Sequence, residues 1–339
     1  MEGYVLHTYG PEQYLKSAVA SAITIRRHDS HRPIALFTDE SSIDRLRSLG
    51  LDSLFSPLET LPEEHRSIVG FKHHLYRFHP FDRCLFVDAD MVWCRDPNPL
   101  WQQLSAFEFT GTGVTSADFF FGAPKNARVI IQYLTNRRKR TIRRFGATYL
   151  PRVQAGMLYS SNRKECKRVC LEAEVLLSRK SETHFESRLN EGRNEESCEW
   201  SFALAFARLG IPIFPWYQGR NTPQMDYIAD FVEHDDDFNS VSCHHFNHSL
   251  ANRLRELPVP RIRNALLWLY CSLPGKSDYM MMTPFVLHFG WLKYKNVFND
   301  MAERLWDHAV TERSLEPDTP ESSRSEIFPL EGQDRGTRR

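Results

Sequence analysis

Over residues 1–90 the apolar positions alternate between short continuous runs and helical spacing. "YVLHTY" (4–9) is a run of strand length. In "PEQYLKSAVASAITIRRH", which follows, Leu15, Ala18, Val19, Ala22 and Ile23 fall on one helical face, with Pro11 in the first turn. "RPIALFTD" (32–39) predicts a second strand, and "SSIDRLRSLG" (41–50) a short helix opened by a Ser cap and closed by Gly. "LDSLFSPL" (51–58) holds a third short strand, "PEEHRSIVGFKHHLYRF" (62–78) reads as a helix, and "RCLFVDAD" (83–90) is a fourth strand. Repeated strand–helix units of this length predict an α/β fold with a mainly parallel, Rossmann-like central sheet flanked by helices.

Further along, the pattern predicts strands at 107–114, 152–160 and 211–216 and helices at 124–140, 163–180 and 199–210. Segment 181–195 is polar and reads as loop. "TPFVLHFGWLKYKN" (283–296) ends a strand on His288 and enters a final helix. From about 313 the chain turns to Ser, Glu, Pro and Arg, a composition that predicts a disordered tail. The chain thus divides into a first half, 1–145, and a second half, 146–312, of one domain, followed by the tail 313–339. There is no internal repeat.

Composition changes this picture little. The 339 residues are 41% hydrophobic and 12% aromatic, enough for a sizeable core. The 43 basic and 43 acidic residues cancel, which supplies no global field for nucleic acid. The opening "MEGYVLHTYG" lacks a basic and then apolar leader pattern, and no apolar run reaches the ~20 residues that span a bilayer. The seven cysteines are scattered without a CxxC pair. Cys166 and Cys170 share a helix face with Val169 and Ala173, a core stripe. A reducing, cytoplasmic setting is the expectation.

The chemistry concentrates at "CLFVDAD". In open α/β sheets, ligands bind beyond the carboxyl ends of the strands. Residues i and i+2 of a strand point to one side, so Asp88 and Asp90 converge while Ala89 faces away. Two carboxylates this close repel unless a cation lies between them. Oxygen ligands select a hard ion such as Mn²⁺ or Mg²⁺, which commonly takes phosphate oxygens as further ligands. The expectation is a diphosphate-binding metal site.

"FDRCLFVDADMVWCRDPNPLW" (81–101) resembles the Asp-x-Asp strand of GT-A nucleotide-sugar glycosyltransferases, of the glycogenin and galactosyltransferase type (family eight). "YVLHTYGPEQYLKSAVASAITIRRH" resembles the family's first strand and helix, which implies that His7, Thr8 and Tyr9 border the nucleoside. "VQAGMLYS" (153–160) resembles the strand lining the sugar pocket, which implies roles there for Gln154, Ala155 and Gly156; the family Asn is Gln154 here. "VLHFGWLKYK" (286–295) resembles the closing HFxGxxKPW pattern. It is one residue short between His288 and Gly290, with Tyr294 where Pro is usual. That resemblance implies His288 as third metal ligand and Lys293 on the diphosphate.

Lys72 is a further positive charge for the phosphates, and Asp118 a partner for donor-sugar hydroxyls. Glu199, at the head of "EWSFALAF", and Gln154 are the candidate catalytic residues. The implied activity is transfer of a hexose from a nucleoside diphosphate sugar, a UDP-sugar by resemblance, with retention of configuration. The acceptor class, whether glycan, protein, lipid or small molecule, is left open.

Two rival readings stand beside this one. A GT-A-like protein that binds nucleotide sugar or a partner without turnover has the same motifs. "DADMV" also satisfies the haloacid-dehalogenase pattern, with Asp88 as phosphoryl nucleophile, although that fold opens on this strand. His244 and His245 in "VSCHHFNH" are rival metal ligands. "NRRKRTIRR" (136–144) is a basic stretch that suits a solvated face, an anionic acceptor or a membrane surface. "RIRNALLWLYCSLPGK" (261–276) suits either burial or contact with a bilayer, with burial the expectation.

Overall fold

A computed structural model describes residues 1–117, 121–122, 128–191, 194–216, 218–246, 251, 254–255, 257, 259–274, 279–290 and 292–315. The strands are β1 (Glu2–His7), β2 (Ile34–Thr38), β3 (Leu58–Thr60), β4 (Arg83–Val87), β5 (Met91–Trp93), β6 (Phe109–Val114), β7 (Arg152–Ser160), β8 (Phe214–Pro215), β9 (Gln224–Asp226), β10 (Val232–His234), β11 (Val241–Phe246), β12 (Tyr279–Met282) and β13 (Val286–His288). The helices are α1 (Glu12–His28), α2 (Glu40–Ser48), α3 (Ile68–Lys72), α4 (Asn98–Leu104), α5 (Arg128–Thr135), α6 (Arg137–Arg144), α7 (Arg163–Ser178), α8 (Glu199–Leu209), α9 (Pro260–Cys271) and α10 (Lys295–Leu315).

The central sheet runs β3-β2-β1-β4-β7-β6-β8. Its first four strands are parallel, and β7 runs antiparallel to both β4 and β6. The mainly parallel α/β expectation therefore holds, with one reversed strand that binds the two halves of the chain into a single sheet. Tyr4, Val5 and Leu6 of β1 are fully buried because both faces are covered, which is why that strand reads as a continuous apolar run. The Cys166, Val169, Cys170 and Ala173 stripe of α7 is likewise buried in the core.

Two small sheets stand beside the large one, β5-β13-β9 and β10-β11-β12. The first matters for function. β13 lies between β5 and β9, with His288 opposite Met91 on one side and opposite Asp226 on the other. No helix among the described residues is long and apolar enough to cross a membrane.

Several local expectations are corrected. The helix at 41–50 is capped by Asp39, whose carboxylate accepts the Ser42 amide at 3.0 Å, so it starts at Glu40. The helix expected over 62–78 is reduced to the five residues of α3. The Gly70 carbonyl, which the next helical turn needs, is engaged by ring nitrogens of His65 and His74, and the His74 amide bonds Phe71 instead. Asn136, at φ 46° in the left-handed region, splits the expected helix 124–140 into α5 and α6. Residues 124–127 lie outside the described part.

The final helix continues to Leu315, past the point where the tail was expected to begin; 316–339 lie outside the described residues. In α9 the expectation of burial fails. Ile262, Leu266, Trp268 and Leu269 are exposed, and the helix is docked by Leu267 and by Arg263, whose guanidinium lies 2.7 Å from Asp230.

Candidate active site

β4 ends at Val87, at the carboxyl edge of the parallel strands, and the chain turns through Asp88, Ala89 and Asp90 before β5 begins. The two carboxylates therefore converge through a turn rather than by strand alternation. Two backbone bonds hold that turn: the Asp88 amide donates to Gly156 at 3.0 Å, and Asp90 O accepts from the Phe289 amide at 3.0 Å. The second bond extends the β5–β13 ladder. It brings His288 to the turn, with Nε2 3.6 Å from Asp90 Oδ1.

Ligand atoms of Asp88, Asp90 and His288 all lie within 4.8 Å of one another, and they form the one such group among the described residues. Two carboxylate donors and one imidazole at this spacing fit a divalent cation. His244 and His245 lie on β11 in another sheet, away from this group.

Gly156 on β7 closes the floor of the site. A Cβ at that position would meet Met91 Cε at 2.7 Å, Asp88 Oδ2 at 3.2 Å and His288 Nε2 at 3.6 Å. Only a residue without a side chain leaves the space between the ligands open. Gly290 has a similar part behind His288, since a Cβ there would come within 2.5 Å of the imidazole Cε1.

Two lysines neutralise the carboxylates. Lys72, the last residue of α3, places Nζ 2.7 Å from Asp88 Oδ1, and Lys295, the first of α10, pairs with Asp90. Burial opposes charge on Lys72, but Asp88 more than restores it and raises the pKa. Burial likewise works to raise the Asp90 carboxyl, yet His288 and then Lys295 outweigh it and pull it down to about 2. For His288, burial is opposed by Asp90 and then Asp226, which lift the imidazole to about 9. A cation taken up here therefore displaces a proton from His288.

Two members of the cluster had no sequence signal or the wrong one. Asp226 accepts from His288 Nδ1 at 2.8 Å, which fixes the ring and leaves Nε2 facing Asp90. Nothing in "QMDY" marks it; the β9–β13 register does. Lys293 was expected on the diphosphate; it is Lys295, two residues on, that pairs with Asp90. Lys293 is exposed, with Nζ 4.4 Å above the Tyr294 ring. The one-residue contraction near Gly290 and the turn at 292–294 hide which lysine faces inward.

The other expected residues divide. Gln154 joins the cluster: its Nε2 lies 3.3 Å from His288 Nδ1, and its Oε1 accepts the Gly156 amide at 3.2 Å. Ala155, between them on β7, is buried in the hydrophobic core. Ala89 packs against the core on the side of Met91. Glu199, at the N-terminus of α8, has its carboxyl raised by burial, although Arg152 and then Lys72 pull the other way.

At the end of β1, His7 stacks on Phe71 with centroids 3.9 Å apart. Burial first and Lys72 second hold its imidazole down at about 4. His7 Nδ1 and Thr8 Oγ1 are buried without a hydrogen-bond partner among the described residues, which suits a polar ligand at this edge. The Tyr9 hydroxyl donates to Glu195 at 2.6 Å, and Glu195 also accepts the Ile68 amide at 2.6 Å. Glu195 is thereby tied to Tyr9, just after β1, and to the start of α3. Asp118 lies outside the described residues.

No protein-family model matches the chain, and no curated protein matches it. Solved structures do. The crystal structure of the galactosyltransferase LgtC in complex with donor and acceptor sugar analogues is similar at 12% identity, over 92% of this chain and 96% of that chain, with a TM-score of 0.48. Glycosyltransferase GlyE of Streptococcus pneumoniae TIGR4 is similar at 12% identity, over 92% and 63% of the two chains, with a TM-score of 0.45. Mouse xyloside xylosyltransferase 1 in its apo form is similar at 12% identity, over 66% and 88%, with a TM-score of 0.43.

Proposed function

We propose that this chain is a GT-A glycosyltransferase that moves a hexose from a nucleoside diphosphate sugar, a UDP-sugar, to an acceptor. The carrying observation is the convergence of Asp88, Asp90 and His288 at the carboxyl edge of the parallel strands, with Lys72 and Lys295 on the two carboxylates. Such a cluster suits one ligand chemistry above others, a diphosphate with a divalent cation.

Asp88, Asp90 and His288 would hold Mn²⁺ or Mg²⁺, and the ion supplies Lewis-acid charge to the leaving diphosphate as the sugar–phosphate bond breaks. The chain's own residues do the rest. Lys72 and Lys295 carry fixed positive charge beside the phosphate oxygens, and pre-set charge of this kind is worth on the order of 10²–10³-fold in rate per well-placed group. His7 and Thr8 border the nucleoside with polar atoms that have no partner among the described residues. Gln154 faces the sugar from beside His288, and Gly156 lets the donor approach the backbone of β7. Glu199 flanks the sugar from α8. Retention of configuration is carried by the resemblance of the motifs alone, and the anomer of the product, read by NMR, tests it.

The first test is calorimetry of the full chain with UDP, GDP and ADP, each with and without Mn²⁺. Binding of UDP that requires Mn²⁺ and is lost in His288→Ala is the expected result. Binding of no nucleotide under either condition overturns the proposal. Hydrolysis of a UDP-sugar without acceptor then separates an enzyme from a protein that only binds its donor.

A further inference from the structure

α5 and α6 form a surface in which apolar and cationic side chains are both turned outward. Ile130, Ile131 and Leu134 of α5 are 58%, 51% and 75% exposed. Across Asn136, whose side chain caps α6 by accepting the Lys139 amide, follow Arg137, Lys139, Arg140 and Arg143, all exposed. α6 is docked by its other face. The Arg138 guanidinium donates to Ala117 O at 2.7 Å, Thr141 Oγ1 accepts the His184 amide at 2.9 Å, and Phe145 is buried in the core. Arg144 is engaged by Glu182, and Arg140 by Thr135 O at the end of α5. The side chains of Arg137, Lys139 and Arg143 make no ion pair among the described residues. From 119 to 164 the sequence contains neither Asp nor Glu, so nothing in this stretch of chain offsets the charge.

We infer that this surface docks the protein on an anionic lipid bilayer. The apolar side chains suit insertion at the headgroup boundary, and the cations beside them suit acidic headgroups, each cation adding to the attraction. A second copy of the chain does not suit the same face, because a two-fold contact would set the cationic arc against itself. Nucleic acid would satisfy the cations but leave Ile130, Ile131 and Leu134 uncovered, in a chain of zero formal net charge. The inference does not depend on the chemistry assigned to the Asp88 cluster.

The test is co-sedimentation of the full chain with vesicles of phosphatidylcholine alone and of phosphatidylcholine with about one-third phosphatidylglycerol, at low and high salt. Binding to the anionic vesicles that falls with salt is expected. The triple variant R137E/K139E/R143E weakens it by about tenfold or more. I130S/I131S/L134S weakens it as well, and both variants keep the circular dichroism of the parent because the changed side chains are exposed. Three outcomes overturn the inference. One is the absence of binding to anionic vesicles. A second is binding that both variants leave intact while W268S on α9 abolishes it. The third is binding of duplex DNA that equals vesicle binding and survives the three serines.

Discussion

Cutting the Lys72–Asp88 pair from one side costs more than removing both charges. Read from the motif alone, a substitution at Asp88 removes a ligand and spares the fold; the structure adds Lys72, whose side chain is 9% exposed against 25% for Asp88, at 2.7 Å. At an effective dielectric near 20, unit charges at that separation attract by roughly 6 kcal/mol. Desolvation of the two ions offsets most of this, so the intact pair is worth little net.

Removing one partner of a fully buried pair costs about 3–5 kcal/mol, because the other charge stays behind in a poor solvent. Asp88 is partly wet, which lowers the expected loss for Asp88→Asn to about 2–3 kcal/mol. Lys72→Met leaves the more exposed partner behind and costs about 1–2 kcal/mol. The double variant loses less than the sum of the singles by about 3 kcal/mol, and so no more than either single. Urea unfolding followed by tryptophan fluorescence measures all four proteins. Singles within about 0.5 kcal/mol of the parent, or strict additivity in the double variant, refute the reasoning.

Two further outcomes follow from the geometry. Gly156→Ala places a methyl 3.2 Å from Asp88 Oδ2 and 2.7 Å from Met91 Cε. It should lower stability by about 1–3 kcal/mol yet weaken Mn²⁺-dependent nucleotide binding by about tenfold or more, and unchanged binding in calorimetry would move the ligand away from the cluster. His73 and His184 are buried, at 2.9 Å from Ser201 Oγ and 3.0 Å from Thr141 Oγ1, and burial pushes each imidazole down to about 4. The folded chain keeps them neutral while the unfolded chain protonates near the ordinary 6.5. Their contribution is therefore full above pH 6.5 and is lost as pH falls toward 4, by about 1 kcal/mol per histidine per pH unit. His288, lifted to about 9, acts in the opposite sense only above that window. Urea midpoints should drop between pH 6.5 and 4.5, and the drop should shrink in His73→Gln; a flat profile contradicts the assignment.

Much of the molecule was written in local patterns. The strand runs at β1, β2, β4 and β7 and the helical faces of α1, α7 and α8 were legible because a strand or helix declares itself within a dozen residues, through the side it buries. So was the position of Asp88 and Asp90, since an apolar run closing on two carboxylates needs no distant partner to be read. His288 was legible as the polar end of a short apolar strand, while its place beside the two carboxylates was implied only by the resemblance of the closing motif.

What those residues do to one another was decided only by the tertiary structure. Asp226 and His288 meet because β13 settles between β9 and β5 in one register, and a shift of one residue would turn His288 to the other face. Lys295, not Lys293, reaches Asp90 because of the turn at Leu292–Tyr294, which periodicity does not describe. The short α3 replaces a long helix because ring nitrogens of two histidines compete for one carbonyl. Periodicity records how a side chain stands to its own element. Distances between charges on different elements depend on register and on irregular backbone, and these form only when the whole chain packs.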